Sequence, residues 1–253
     1  MTAVAYYNEF NRQSAAWLRD LIAQGLLAPG DVDERSILDV KPNDLSGYTQ
    51  CHFFSGIGGW PLALRLAGWD DARPVWTGSC PCQPFSAAGD GKGFADERHL
   101  WPAFFHLIEQ RRPPKLYGEQ VAKRAGFEWL DRVRDDLEAI HYACAAADLP
   151  ACSVAAPHQR QRVFWVASDD TREYGHAHDH LGTGHHGQAP KPVRRLPRVA
   201  VHGGWWGTDA GGERLPTLVP NHDGLSAILA GFGNSIVPQV AAEFIRATMT
   251  VSV

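Results

Sequence analysis

No apolar run in this sequence approaches the length needed to cross a bilayer, and the opening MTAVAYYNEF has neither the basic start nor the apolar core of a secretory leader. Neither a membrane protein nor a secreted one is therefore expected. Five cysteines, an odd number with no CxxC pair, argue against a disulfide framework and a zinc ribbon. A reducing, cytoplasmic compartment is the default. Basic excess is missing as well: 24 Lys and Arg stand against 28 Asp and Glu, a formal net charge of −4. That balance does not advertise a polyanion binder, although one basic face on an acidic body can still hold phosphates.

What the sequence does contain is one good core, with 44% hydrophobic residues in 253 and ample Gly and Pro. Basic residues gather at Arg111, Arg112, Lys115, Lys123, Arg124, Arg132 and Arg134, and again at Arg160, Arg162, Lys191, Arg194, Arg195 and Arg198. Each group reads either as solvated surface or as a phosphate-binding face.

Strands and helices alternate along most of the chain. Short strands are expected at 3–8, 31–40, 49–56 and 73–79, then at "KLYGEQV", "YACAAADL" and "RQRVFWVAS". Helices are expected from an Asn11 cap to about Leu27, from Pro61 to Gly68, around 100–111 and 127–140, and from Pro238 onward. This pattern predicts an α/β fold with a largely parallel sheet. Residues 86–98 are rich in Gly, Ala and charge and read as a mobile loop. From Asp169 to about Asp223 the texture changes to Gly, His, Pro and Arg, which reads as a small loop-rich insert.

Two features suggest a reactive site. Gly56-Ile57-Gly58-Gly59 follows a strand and opens a helix, so a ligand could approach its backbone N–H groups. Pro81-Cys82 follows the next strand, and Glu119 stands at the end of the one after. In a parallel sheet these C-terminal strand ends share one edge, where ligands bind. Arg160 and Arg162, at the start of a later strand, are spaced to share a face toward that edge. Each alone is weak evidence, since a free cysteine is usually a small buried hydrophobe.

Together the segments resemble the DNA cytosine-5 methyltransferases. The resemblance runs in order through Phe54-Ser-Gly-Ile-Gly-Gly59, Pro81-Cys82-Gln83-Pro-Phe-Ser86, Glu119-Gln120-Val121, Gln159-Arg160-Gln161-Arg162, and Gly233-Asn234-Ser235 with Pro238. Gln120 departs from it, standing where the family usually carries Asn. The resemblance implies an AdoMet-type Rossmann-like sheet and S-adenosyl-L-methionine as cofactor. It further implies double-stranded DNA as partner, a base flipped out of the stack and a Cys82 thiolate adding to cytosine C6. Glu119, Arg160 and Arg162 would hold the base, and Gln83, Ser86, Arg98, Arg194 and Arg195 would contact DNA.

One part of the family pattern is absent from its usual place. Only residues 69–80 separate Gly68 from Pro81, too few for the two strands that normally carry the adenosine-binding acids. The N-terminus supplies candidates: "YYNEFNRQ" looks like the ribose-acid segment, with Glu9 and Phe10, and "GDVDERSILDV" like the adenine segment, with Asp31 and Val32. The chain thus resembles a circularly permuted, phage-type member, with a role in restriction-modification or phage anti-restriction. Phe54, Gly56, Gly58, Gly59, Pro81 and Asn234 would complete the cofactor side. Expected domains are 1–168 (catalytic), 169–222 (target recognition) and 223–253 (a returning turn and helix), in a monomer. The insert's histidines, His176, His178, His180, His185 and His186, lack framing cysteines or carboxylates at a standard spacing, so no metal is expected. A deaminase working through the same cysteine adduct without AdoMet, or a silent DNA-binding module, would carry many of the same residues.

Overall fold

The computed structural model describes residues 4–81, 100–169 and 235–250. They form a seven-stranded sheet, flanked by helices, from β1 (Ala5–Asn8), β2 (Gly30–Asp33), β3 (Gln50–Phe53), β4 (Val75–Gly78), β5 (Lys115–Val121), β6 (Tyr142–Leu149) and β7 (Arg162–Asp169). The spatial order is β2-β1-β3-β4-β5-β7-β6. The first five are parallel, and β7 runs antiparallel to both β5 and β6. The helices are α1 (Arg12–Ala23), α2 (Gly59–Ala67), α3 (Trp101–Arg111), α4 (Arg124–Ala139) and α5 (Pro238–Thr250). None of the described helices is long and apolar enough to cross a membrane.

Local chemistry explains most boundaries. The Asn11 side chain accepts the N–H groups of Gln13 and Ser14, which starts α1. That helix stops four residues earlier than its apolar stripe suggests, because the chain turns left-handed at Gly25, φ 72°. The stretch 31–40 is not one strand. Asp33 takes the Arg35 N–H on its own carboxylate, and Ser36 then caps a 3-10 turn over Ile37–Asp39. Pro61 lies inside the first turn of α2, and Gly68 closes that helix at φ 80°.

Two apolar layers sandwich the middle of the sheet. On one face Tyr6, Cys51, Phe53 and Trp76 meet α3 and α4 through Trp101, Phe104 and Trp129. On the other, Trp60, Tyr117 and Phe164 meet α5 through Val240 and Phe244. Glycine makes room where aromatics press on strands: a Cβ at Gly118 would fall 2.2 Å from the Trp165 ring, and one at Gly78 would fall 2.6 Å from Phe104. Asp169, placed in the insert by composition, is the last residue of β7; it is buried and paired to Arg112 at 2.5 Å.

Candidate active site

β1, β2, β3 and β4 are in register so that Asn8, Asp33, Phe53 and Gly78 stand level. The next residues emerge together at the C-terminal edge. Glu9 follows Asn8, and its carboxylate accepts the Gly56 N–H at 2.6 Å and the Asn11 N–H at 2.8 Å. The N-terminal acid therefore reaches the glycine turn. Phe10, beside it, is 74% exposed, an unusual state for a phenylalanine and one that leaves its ring open to a planar partner.

The turn is built from unusual backbone. Phe54 has φ 52°, in the left-handed region that a bulky residue rarely adopts. Ser55 Oγ donates to the His52 carbonyl at 2.6 Å and helps hold it there. The glycines do different jobs. A Cβ at Gly56 would point into open space, leaving that face of the turn clear. Gly58 instead leaves room for Leu27, whose Cδ1 would lie 2.8 Å from an added Cβ. Gly59 leaves room for Ile236, at 2.7 Å. Only Gly56 has an open approach; Gly58 and Gly59 are explained by packing.

Asp31 and Val32 do not join this group. Asp31 is level with Tyr6 and Cys51, two residues short of the β2 end, and its carboxylate accepts the Tyr48 hydroxyl at 2.6 Å. The Val32 carbonyl accepts from Arg19 at 3.2 Å. Both line a cleft outside β2 together with Tyr6, Asp33, Arg35 and Asp44. The carboxylate level with the end of β1 is Asp33, which is already engaged by Tyr6 and Arg35.

On the other side of β4, Glu119 is buried in β5 and its carboxylate meets Arg162 Nε at 2.7 Å. Arg162 lies opposite Val121, which makes it the diagonal neighbour of Glu119 across the antiparallel pair. Burial pushes the Glu119 carboxyl above its usual range, with Arg162 and then Arg160 pulling against it. A carboxyl buried in this way holds its proton to higher pH than a solvent-exposed one. Arg160 does not share a strand face with Arg162. It precedes β7, at φ 29°, and donates to the Ser235 carbonyl at 2.5 Å. Positive φ breaks the two-residue alternation on which the shared-face expectation rests.

Pro81 ends the described part of the Pro-Cys turn. Its approach is pinned from two sides. Trp60 Nε1 donates to Ser79 Oγ at 2.9 Å, and Gln120 Nε2 donates to the Cys80 carbonyl at 3.2 Å. Gln120 also accepts the Val121 N–H at 2.9 Å. The residue that departs from the family pattern thus ties the acid-bearing strand to the turn, a role its sequence position alone does not reveal. Trp60 and Ser79 carry no signal in the sequence for the same reason. Cys82, Gln83, Ser86, Arg98, Arg194, Arg195, Asn234 and the insert's histidines lie outside the described residues.

Residues 71–194 match the family model for C-5 cytosine-specific DNA methylase. Type II methyltransferase M.HhaI of Haemophilus parahaemolyticus is 24% identical over 169 residues, 51% of this chain and 52% of that protein. M.AluI of Cellulosimicrobium cellulans is 35% identical over 117 residues, 42% of this chain and 22% of that protein. M.AplI of Arthrospira platensis is 32% identical over 150 residues, 45% of this chain and 44% of that protein. Over residues 71–194 the chain is similar to the C-5 cytosine-specific DNA methylases. It spans about half or less of the length of these curated relatives. Among solved structures, a mutant DNMT2 of Spodoptera frugiperda aligns with a TM-score of 0.44 at 17% identity, over 66% of this chain and 42% of that one. The S. pombe Dnmt2 methyltransferase aligns with a TM-score of 0.39 at 14% identity, over 65% and 50%. The methylase match takes in β4 to β7, with Glu119, Arg160 and Arg162, and begins after the glycine turn.

Proposed function

We propose that this chain is a DNA cytosine-5 methyltransferase that uses AdoMet and acts on double-stranded DNA. The observation that carries the proposal is the buried Glu119–Arg162 pair, standing at the sheet edge where the Pro81 turn emerges.

Cytosine C5 is a weak nucleophile, so the ring must first be activated. Cys82, as thiolate, forms a bond to C6 of the flipped base, which makes C5 nucleophilic. Protonated Glu119 donates to ring N3, and Arg162 keeps that carboxyl in place while facing the base O2. When C5 has gained its methyl group, its proton leaves, the C6–S bond breaks and Cys82 departs as thiolate. Bound AdoMet would supply the electrophilic methyl group, the S–CH3 bonding pair staying on its sulfur to leave the neutral thioether S-adenosylhomocysteine. The residues at the glycine turn suit such a cofactor: Glu9 has lone pairs left for ribose hydroxyls, Gly56 faces open space, and Phe10 offers an exposed ring. Asp31 and Val32 are assigned only to the outer cleft beside this pocket.

We further propose that the chain order is permuted. The segment β1-α1-β2 precedes β3 in the chain but lies beyond it in the sheet. The family match beginning at residue 71 and the short 69–80 connection support that reading. Residues 170–222 are assigned to target recognition, with Arg194 and Arg195 on the DNA.

Mass spectrometry of cytosines in plasmid from an expressing host tests the activity. 5-Methylcytosine is expected with the wild type and none with Cys82→Ala; Cys80→Ala should retain it. Uracil in place of 5-methylcytosine would transfer the same adduct chemistry to a deaminase. Unmodified DNA with wild-type protein would overturn the enzymatic reading.

A further inference from the structure

The cations of the first basic group are not one surface. Arg111 ends α3, and Arg112 and Lys115 follow at the start of β5, the opposite end of the sheet from Glu119. Arg112 is bonded to Asp169 and the Ile140 carbonyl, and Lys115 to Ser168. Further along α4, Arg132 meets Asp136 at 3.2 Å, and Arg134 lies among Asp131, Asp135 and Glu138. The helix's own acids largely neutralise these two.

Lys123 and Arg124 differ in place and in partners. They stand two and three residues beyond Val121, which is opposite Arg162 in the sheet. Lys123 is exposed and makes no ion pair among the described residues. Arg124 has a side chain 92% exposed, and its bond to Glu128 is a surface pair of the kind that contributes little. The platform under them is firm. Lys123 N–H bonds back to the Val121 carbonyl at 2.9 Å. A Cβ at Gly126 would sit 2.0 Å from that same carbonyl, so the first turn of α4 is pressed directly onto the strand end. Phe127, one turn on, is 43% exposed. Across the sheet the balance leans the other way: Asp31, Asp33, Glu34 and Asp44 outnumber Arg19 and Arg35, with which three of them pair, in the cleft outside β2.

We propose that Lys123 and Arg124 contact the phosphate backbone of the DNA duplex and seat it over the β5–β7 side of the site, away from the acidic β2 edge. This rests on the proposed action on DNA. The two cations stand within a few residues of the Glu119–Arg162 pair on a preorganised element, where a duplex presenting a flipped base must bring its phosphates close.

Fluorescence anisotropy with a labelled cytosine-containing duplex, over a series of salt concentrations, tests it. Removing one cation from a phosphate should reduce the slope of log affinity against log salt by about 0.9. Lys123→Gln and Arg124→Gln should each show that reduction, and the double variant about twice it. Lys123→Arg should keep the wild-type slope. Arg134→Gln, ten residues along the same helix and so about 15 Å away, should also leave it unchanged. A double variant with the wild-type slope, from a wild type that does bind duplex, would overturn this surface and leave the proposed activity standing. A wild type without affinity for the duplex would overturn both.

Discussion

The Glu9 carboxylate accepts the Gly56 N–H at 2.6 Å across 47 positions of sequence. This contact joins the N-terminal segment to the glycine turn. It exists because β1 lies beside β3, with Asn8 level with Phe53. Ser55 N–H bonds to the Asn8 carbonyl and draws the two strand ends together.

Glu9→Ala should weaken AdoMet binding at least tenfold, because a charge-assisted hydrogen bond of this type contributes about 1.5–3 kcal/mol. Isothermal calorimetry reads the change. DNA affinity should stay near wild type. An unchanged AdoMet dissociation constant would remove Glu9 from the pocket and bring the deaminase reading forward.

Glu119→Gln should alter the pH dependence of stability in a defined direction. The Glu119 carboxyl is raised above 4.5 by burial, so the folded protein binds this proton more tightly than the unfolded chain does. The stabilisation is complete below the unfolded pKa and is lost as pH rises through the folded one. Urea melts over that range should therefore show wild type losing stability relative to Glu119→Gln as pH rises. The opposite trend would mean that the Arg162 ion pair outweighs burial.

Arg162→Ala and Arg160→Ala should separate. Loss of Arg162 leaves Glu119 buried without its 2.7 Å partner and should cost about 1–3 kcal/mol in stability as well as activity. Arg160→Ala removes a bond to the Ser235 carbonyl. It should loosen the start of α5 while leaving the Glu119–Arg162 pair formed. Hydrogen exchange at residues 236–241, faster in Arg160→Ala and unchanged in a folded Arg162 variant such as Arg162→Lys, distinguishes the two roles.

Gly59→Ala should destabilise by about 1–3 kcal/mol, since its Cβ would lie 2.7 Å from Ile236 Cγ1 in a packed layer. Gly56→Ala meets no neighbour and is strained only by its positive φ, 55°. Thermal melts of both, beside AdoMet titrations, would show Gly59 acting through packing. A Gly59→Ala protein of wild-type stability would contradict that packing role.

Much of the architecture was legible along the chain. Asn11 as a cap, Gly68 as a helix stop and the alternation of strands and helices are local effects. They are governed by backbone donors, left-handed turns and side-chain period, all of which a short window contains. The motif order Phe54 to Gly59, Pro81 and Glu119 located one sheet edge, because parallel strands bring their C-terminal ends together; Arg162 reaches it from the start of the antiparallel β7. The short interval from 69 to 80 likewise pointed to the N-terminus as the place to look for Glu9.

Tertiary structure decided which partner each side chain takes. Asp31 bonds to Tyr48, not to the turn, because the β1–β2 register leaves it two residues short of the edge. Arg160 turns to Ser235 because its backbone is left-handed just before β7 begins. Lys115 and Lys123 look alike in sequence, yet β5 carries them to opposite ends of the sheet, one onto Ser168 and one into solvent. Composition records that these charges exist; only long-range strand pairing, which no local window contains, sets where they stand and what they face.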